Sequence, residues 1–405
     1  MELFKKNDYL KWRSKMKKKF KIINLLLICI ILTATVLNPI VFATKINFQV
    51  NEPNLNDDSI SRDIIMFAEH NFKNQINDFI LNSNFYEVTV TNKYDVHLAT
   101  PMRVYDYNID NMTLNATEIY YFPVLEKNEL IGTYAVAKLE NGILSGTLSK
   151  SFADKFNYLS KNNYKPGVHK LIRIKSALFL SNNSSKVINE LESDTPSNLD
   201  IDKYKEDIDK KIETLLDKSS VEEYSFESII INSNLIFSDP GAPVDYKYLS
   251  VPIVLQNGMN WCWAATCASI LNYRKSLNLT ESEIVTYVYG SPINQGGAWS
   301  EIKKAYNNWG LYPSQYNYLT YSQAKSLLKN NIPIHAGFYY SPNNWDLYGH
   351  SMTIRGFEEY SSVDKYYLLI DPNKNYGVSV TAYDNGNNVA YIINGNVYYL
   401  NYARY

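Results

Sequence analysis

Cys262 opens the run Cys262-Trp263-Ala264-Ala265, which follows an Asn257-Gly258 break and reads as the first turn of an alanine-rich helix. A thiol placed there is chemically primed. The free backbone N–H groups and positive dipole end of a helix stabilise a thiolate, carrying a cysteine pKa from about 8.5 toward roughly 3.5–7.5. A lone cysteine in an apolar helix is more often a packing residue, so its partners decide the reading. A nucleophilic thiolate needs a proton carrier, and two histidines follow it. His335 lies in the apolar run 332–338, where a core histidine is expected. His350 comes after Gly349, at the start of an alternating stretch that reads as a strand, and is the expected base.

The segment 256–265 resembles the active-site stretch of papain-like cysteine peptidases, in which a Gln stands six residues before the nucleophilic Cys and a Trp follows it. Gln256, Cys262 and Trp263 match all three. The resemblance covers roughly residues 250–405 and rests on four motifs in the family's order. It implies that the Gln256 side-chain amide and the Cys262 N–H form an oxyanion hole, with His350 as general base. The third member orients the imidazole and, by the resemblance, ends the strand 366–370 that follows the His350 strand. Asp371, in Asp371-Pro372-Asn373, is the expected residue and Asn373 the alternative. Papain's Asn-Ser-Trp motif is absent, and the Asp-Pro ending looks more like the bacterial branch of leader-processing peptidases and secreted effectors. The same residues would also suit an ordinary turn at a strand end. Residues 294–301 resemble the family's Gly-Gly loop, which implies that Gly297 pairs with an extended substrate strand, with Trp263 as a second substrate-binding position.

Such residues need an α+β scaffold of the papain-like kind, its Cys262 helix packed on a twisted antiparallel sheet that carries His350 and Asp371. The chain of 405 residues is longer than one ordinary core and predicts more than one folded unit. Residues 1–43 read as a signal peptide, with a basic stretch (Lys17, Lys18, Lys19, Lys21), an apolar run from Ile22 to Leu37, and Val41-Phe42-Ala43 as the cleavage site. That run is too short to span a bilayer, which takes about 20 residues. Residues 44–181 are expected to form a separate α+β, prodomain-like domain. It opens with a helix over 59–81 (Ile60, Ile64, Phe67, Ala68, Ile76, Ile80). Strands follow around 86–90, 119–125, 131–139 and 143–148, then a short helix over 152–160 and a strand over 171–180. Lys127-Asn128 and Asn141-Gly142 are the turn signals. Residues 182–249 read as an acidic polar linker, with twelve acids against six lysines over 186–223 and a helical stripe at Ile201, Tyr204, Ile208, Ile212 and Leu215. The peptidase domain is then expected over 250–405.

Composition narrows the function classes. Without its basic leader the chain is acidic, which does not invite nucleic acid, and no phosphate-binding loop is present. The histidines, at 70, 97, 169, 335 and 350, lack the paired spacing of a zinc site, so no metal or cofactor is expected. Cys262 and Cys267 lie five apart on one helix and point away from each other, so no disulfide is expected. The expected product is a secreted thiol endopeptidase, made as a zymogen, whose partner is a protein or peptide substrate and which has no membrane attachment once the leader is cut. An acyl-transferring enzyme with the same residues, or a silent binding module on the same fold, stands as the alternative.

Overall fold

The computed structural model describes residues 60–161, 169–182, 187–193, 241–340 and 349–404, apart from Thr100, Asn128, Met259, Asn317 and Tyr318, with six helical positions between 204 and 211. The leader read over 1–43 lies outside the described residues. In chain order the front half comprises α1 (Arg62–Leu81), β1 (Val96–Leu98), β2 (Met102–Asn108), β3 (Thr113–Glu126), β4 (Glu129–Lys138), β5 (Leu144–Ser149), α2 (Ala153–Lys161), β6 (His169–Ile174), β7 (Ala177–Asn182) and β8 (Val187–Ser193). The second half comprises β9 (Asp245–Tyr248), α3 (Cys262–Lys275), α4 (Glu281–Tyr289), α5 (Trp299–Asn308), β10 (Gln315–Tyr316), α6 (Tyr321–Lys329), β11 (Ile334–Tyr339), β12 (Gly349–Glu359), β13 (Lys365–Ile370), β14 (Gly377–Thr381), β15 (Ala390–Ile393) and β16 (Asn396–Arg404). The α+β mixture is as expected, with a large sheet and helices packed on it.

The two halves are not separate. One 16-stranded sheet runs through both, its main path in the order β10-β16-β11-β12-β13-β14-β5-β4-β3-β2-β6-β7-β8, with β1 on β3, β9 on β12 and β15 on β16 beside it, and β5 pairs antiparallel with β14 through Val378↔Ser149, Ser379↔Leu148 and Val380↔Thr147. All five residues of β14 are buried, so this strand is an interior one. Helix α1 is buried on two sides. Ile64, Ala68, Phe72, Ile76 and Phe79 join the front-half core, while Asn71 accepts from the Tyr366 hydroxyl at 2.9 Å and Asn74 donates to it at 3.2 Å on β13.

Several local expectations are corrected. Residues 86–90 were expected as a strand, but Ser83–Tyr86 forms a helical turn and residues 87–90 stay irregular, because Tyr86 is drawn under α1, fully buried, where its hydroxyl donates to Asp78. Residues 171–180 form a hairpin instead of one strand, turning at Lys175, which adopts φ 56°. The segment expected to be linker contributes β8 to one edge of the sheet and β9 to β12. Tyr204 and Ile208, from its helical stripe, pack with Tyr107, Ile172 and Phe179.

The second half is a helical layer against the sheet. Helix α3 is buried from Trp263 to Leu271 and shares a core with α4 and α5 through Ile284, Val285, Val288, Ile302, Ala305 and Tyr306. Its small residues, Ala264, Ala265, Ala268 and Ser269, let it run between the other helices and the sheet at close range.

Candidate active site

Helix α3 begins at Cys262. Trp261 caps it without any side-chain hydrogen bond; its carbonyl takes the Ala264 and Ala265 N–H groups, and the Trp263 N–H serves the thiol. Cys262 is partly exposed, whereas Cys267, one turn further on, is buried. Burial works against ionisation of Cys262. The hydrogen bond and charge of His350 outweigh it, helped by the backbone N–H groups of Ser351 and Trp263, and the thiol lies below its ordinary value.

His350 is the second residue of β12, opposite Phe338 of β11. Its Nε2 lies 2.7 Å from Asp371 Oδ1, which leaves Nδ1 as the ring nitrogen for Cys262. Burial disfavours the imidazolium, yet Asp371 and Cys262 together hold His350 well above its usual pKa. Asp371 follows the last residue of β13 and is 1% exposed. Its Oδ1 also accepts the Asn373 N–H at 2.8 Å, and its Oδ2 accepts the Tyr391 hydroxyl at 2.8 Å. Burial would raise this carboxyl, but the charge and hydrogen bond of His350, then Lys374 and the Asn373 N–H, bring it down to about 2. Cys262 at the start of α3, His350 on β12 and Asp371 after β13 are thus brought together, the thiol beside the imidazole and the imidazole against the carboxylate. Asn373, the alternative third member, reaches Asp371 through its backbone N–H.

Gln256 lies in the loop before α3, where its N–H donates to the Pro372 carbonyl at 2.9 Å. The oxyanion-hole candidate is therefore tied to the turn that carries Asp371. Its side-chain amide donates to the Gly258 carbonyl at 3.2 Å. Gly258 is needed there, since a Cβ would fall 2.4 Å from the Trp261 indole. Both indoles then hold the Gly-Gly loop. Trp261 Nε1 donates to the Ile293 carbonyl at 2.8 Å, Trp263 Nε1 donates to the Gln295 carbonyl at 3.1 Å, and a Cβ on Gly297 would fall 2.3 Å from the Trp263 ring. Trp263 is 1% exposed, so it supports the loop from beneath and does not line a substrate surface, contrary to the position expected of it. Gly297 sits on that support, beside the start of α3.

His335 is wholly buried, with Nδ1 3.0 Å from the Tyr306 hydroxyl, and burial together with the Arg404 charge pushes its pKa far down. It is a neutral core residue. Tyr391 is the neighbour of Asp371 that sequence reasoning missed: one tyrosine among 35, in a short strand, carries no signal of its place there.

Among the described residues no helix is long and apolar enough to cross a membrane. No curated protein matches the chain. Among solved structures the chain is similar to one from Bacillus anthracis assigned as a C39-like peptidase, at 10% identity and a TM-score of 0.26, over 35% of this chain and 99% of that one. Residues 246–388 match the family model of the papain-like cysteine protease AvrRpt2, a span that takes in Gln256, Cys262, Gly297, His350 and Asp371. This chain is thus a cysteine-type peptidase with a papain-like domain over residues 246–388, and its substrates are proteins.

Proposed function

We propose that the protein is a secreted cysteine endopeptidase that works through a Cys262–His350–Asp371 triad with Gln256 in the oxyanion hole. The observation that carries this reading is the 2.7 Å contact of His350 Nε2 with buried Asp371, which turns Nδ1 toward a thiol at the start of α3. The Cys262 thiolate attacks the scissile carbonyl carbon, and the oxyanion is met by the Cys262 N–H and the Gln256 side-chain amide. His350 Nδ1 gives its proton to the leaving amine, then takes one from the water that hydrolyses the thioester. Asp371 keeps the imidazole in one tautomer and one orientation throughout. Gly297 offers its backbone to an extended substrate, on a loop that Trp261 and Trp263 hold rigid.

Residues 44–405 should be incubated under reducing conditions with an unfolded protein substrate, beside Cys262→Ser and a sample alkylated beforehand. Only the untreated wild type should cleave the substrate. Equal cleavage by Cys262→Ser would remove the thiol from the mechanism. Synthesis as a zymogen, with a maturation cut between Ser193 and Asp245, belongs to the same proposal and rests on the acidic segment between the halves. Export rests on the basic and apolar opening of the chain, and the exported protein should begin at Thr44.

A further inference from the structure

Strand β15 stands between the two cores of the molecule, and its side chains alternate between them. Tyr391 and Ile393 belong to the catalytic core with Phe338, Met352 and Ile370, whereas Ala390 and Ile392 belong to the front-half core with Tyr121, Ala135, Leu171 and Leu178. The backbone is held from the front side as well. Thr147 Oγ1 accepts the Ile392 N–H at 3.0 Å and Ser145 Oγ donates to the Ala390 carbonyl at 3.3 Å, both from β5. On the other face, Tyr391 is 1% exposed and packs edge-on against Phe338 with ring centres 6.3 Å apart. Phe338 is the residue paired with His350 across β11 and β12. The Tyr391 hydroxyl then supplies the single donor on Asp371 Oδ2, at 2.8 Å, among the hydrogen bonds described for that atom. Tyr391 lies beyond residues 246–388, the span shared with the papain-like family.

We propose that Tyr391 is a positioning residue for the Asp371–His350 pair, and that front-half strand β5 sets its place, which makes the front half a working part of the enzyme. This rests on the proposed triad. Asp371 Oδ1 serves both His350 and the Asn373 N–H, so the carboxylate plane stays fixed only while Oδ2 is also held. Released, the carboxylate turns about its side-chain torsion and presents a poorer acceptor to the imidazolium. Tyr391 touches neither substrate nor thiol, and its effect passes through Asp371.

The test compares wild type, Tyr391→Phe, Thr147→Val and the double variant in the full chain from residue 44. The readouts are kcat and KM on a peptide substrate and the pH profile of Cys262 alkylation by iodoacetamide. Tyr391→Phe keeps the ring against Phe338 and loses only the hydroxyl. Loss of one hydrogen bond to a charged group predicts a fall in kcat of about tenfold, with KM within about twofold, and an acid limb of alkylation moved to higher pH. Thr147→Val should lower kcat in the same direction, and the double variant should be no worse than Tyr391→Phe, because both changes act on one contact. An unchanged kcat, or an acid limb that stays in place or moves down, overturns the role of Tyr391. Additive losses in the double variant overturn the part given to the front half. If the wild type itself shows no preference for Cys262 over Cys267 in alkylation, the triad reading has failed and this inference falls with it.

Discussion

Replacing Asp371 by Asn separates charge from shape at the centre of the site. The amide oxygen can keep the His350 and Asn373 contacts, and the amide nitrogen can donate to the Tyr391 hydroxyl, so the packing of a 1%-exposed residue is preserved while its charge is lost. The Asp371 carboxyl is held from 3.8 down to about 2, chiefly because His350 outweighs the effect of burial. At about 1.4 kcal/mol per pH unit this is on the order of 2 kcal/mol favouring the charged pair, or a factor of several tens. The sign is that of a depressed carboxylate, so the stabilisation is complete above about pH 4 and fades as the pH falls toward 2. In Asp371→Asn the imidazolium loses that support at every working pH. The thiolate–imidazolium pair then gives way to the neutral pair, and kcat/KM near pH 6 should fall by up to a factor of several tens. The acid limb of Cys262 alkylation, followed by mass spectrometry, should move up by as much as about two pH units. An alkylation profile that coincides with wild type would refute this reasoning, and a comparable loss in Asn373→Ala alone would move the role to Asn373.

The two thiols should differ sharply in the native protein. Cys267, which burial pushes up to about 12, should resist iodoacetamide at pH 7 and react only after denaturation, while Cys262 reacts at once; equal labelling would contradict the site. A second buried acid governs the alkaline side. Burial and the charge of Asp78 raise Glu358 to about 9, so ionisation is penalised in the folded state from about pH 4.5 upward, at up to about 1.4 kcal/mol per unit until pH 9. The melting temperature should therefore decline between pH 5 and 9, and Glu358→Gln should flatten that decline; an unaltered slope would exclude this carboxyl as its source. Gly297→Ala would drive a Cβ to 2.3 Å from the Trp263 ring. It should cost about 1–3 kcal/mol of stability by overpacking, and raise KM for extended peptides more than for a small thiol reagent. No change in either would release the loop from its assigned support.

What could be read in the sequence was local and chemical. Cys262 after a chain break, His350 after a glycine and Asp371 at a strand end each carry their proposed role in their immediate neighbours, and α3, β12 and the end of β13 bring the three together. The strands at 119–125, 131–139 and 143–148 were legible for the same reason, since period two and a turn residue such as Gly142 at φ 79° act within a few positions. Long-range decisions were not. Tyr86 has strand propensity, but the space beneath α1 and the Asp78 carboxyl capture it. Lys175 turns a hairpin with a left-handed backbone that glycine or asparagine would have announced. Trp263 suggested a substrate wall by its place beside Cys262, and only the helix's rotation shows that its indole points under Gly297. Strand β8 was read as linker because an edge strand with Asn189, Glu190 and Glu192 looks like solvated chain.

The shared sheet also bears on the proposed maturation of a zymogen. Removing the front half outright would strip β5 from β14, leave five buried residues at a bare sheet edge, and bare Leu368 and Ile392, each worth about 1.5–3 kcal/mol of burial. It would also open the α1 contacts of Asn71 and Asn74 with Tyr366 and the His70–Asp364 hydrogen bond. A cut between Ser193 and Asp245 touches none of these, since every residue that makes them lies outside that segment. Maturation is therefore expected to nick the chain and keep both pieces. The nicked protein should elute from gel filtration at the position of the uncut chain, and denaturant should be required to part the fragments. Full activity in the isolated fragment from 245 onward, after the front piece has left in native buffer, would show that β15 holds Tyr391 without β5, and would return the front half to the role of a discarded propeptide.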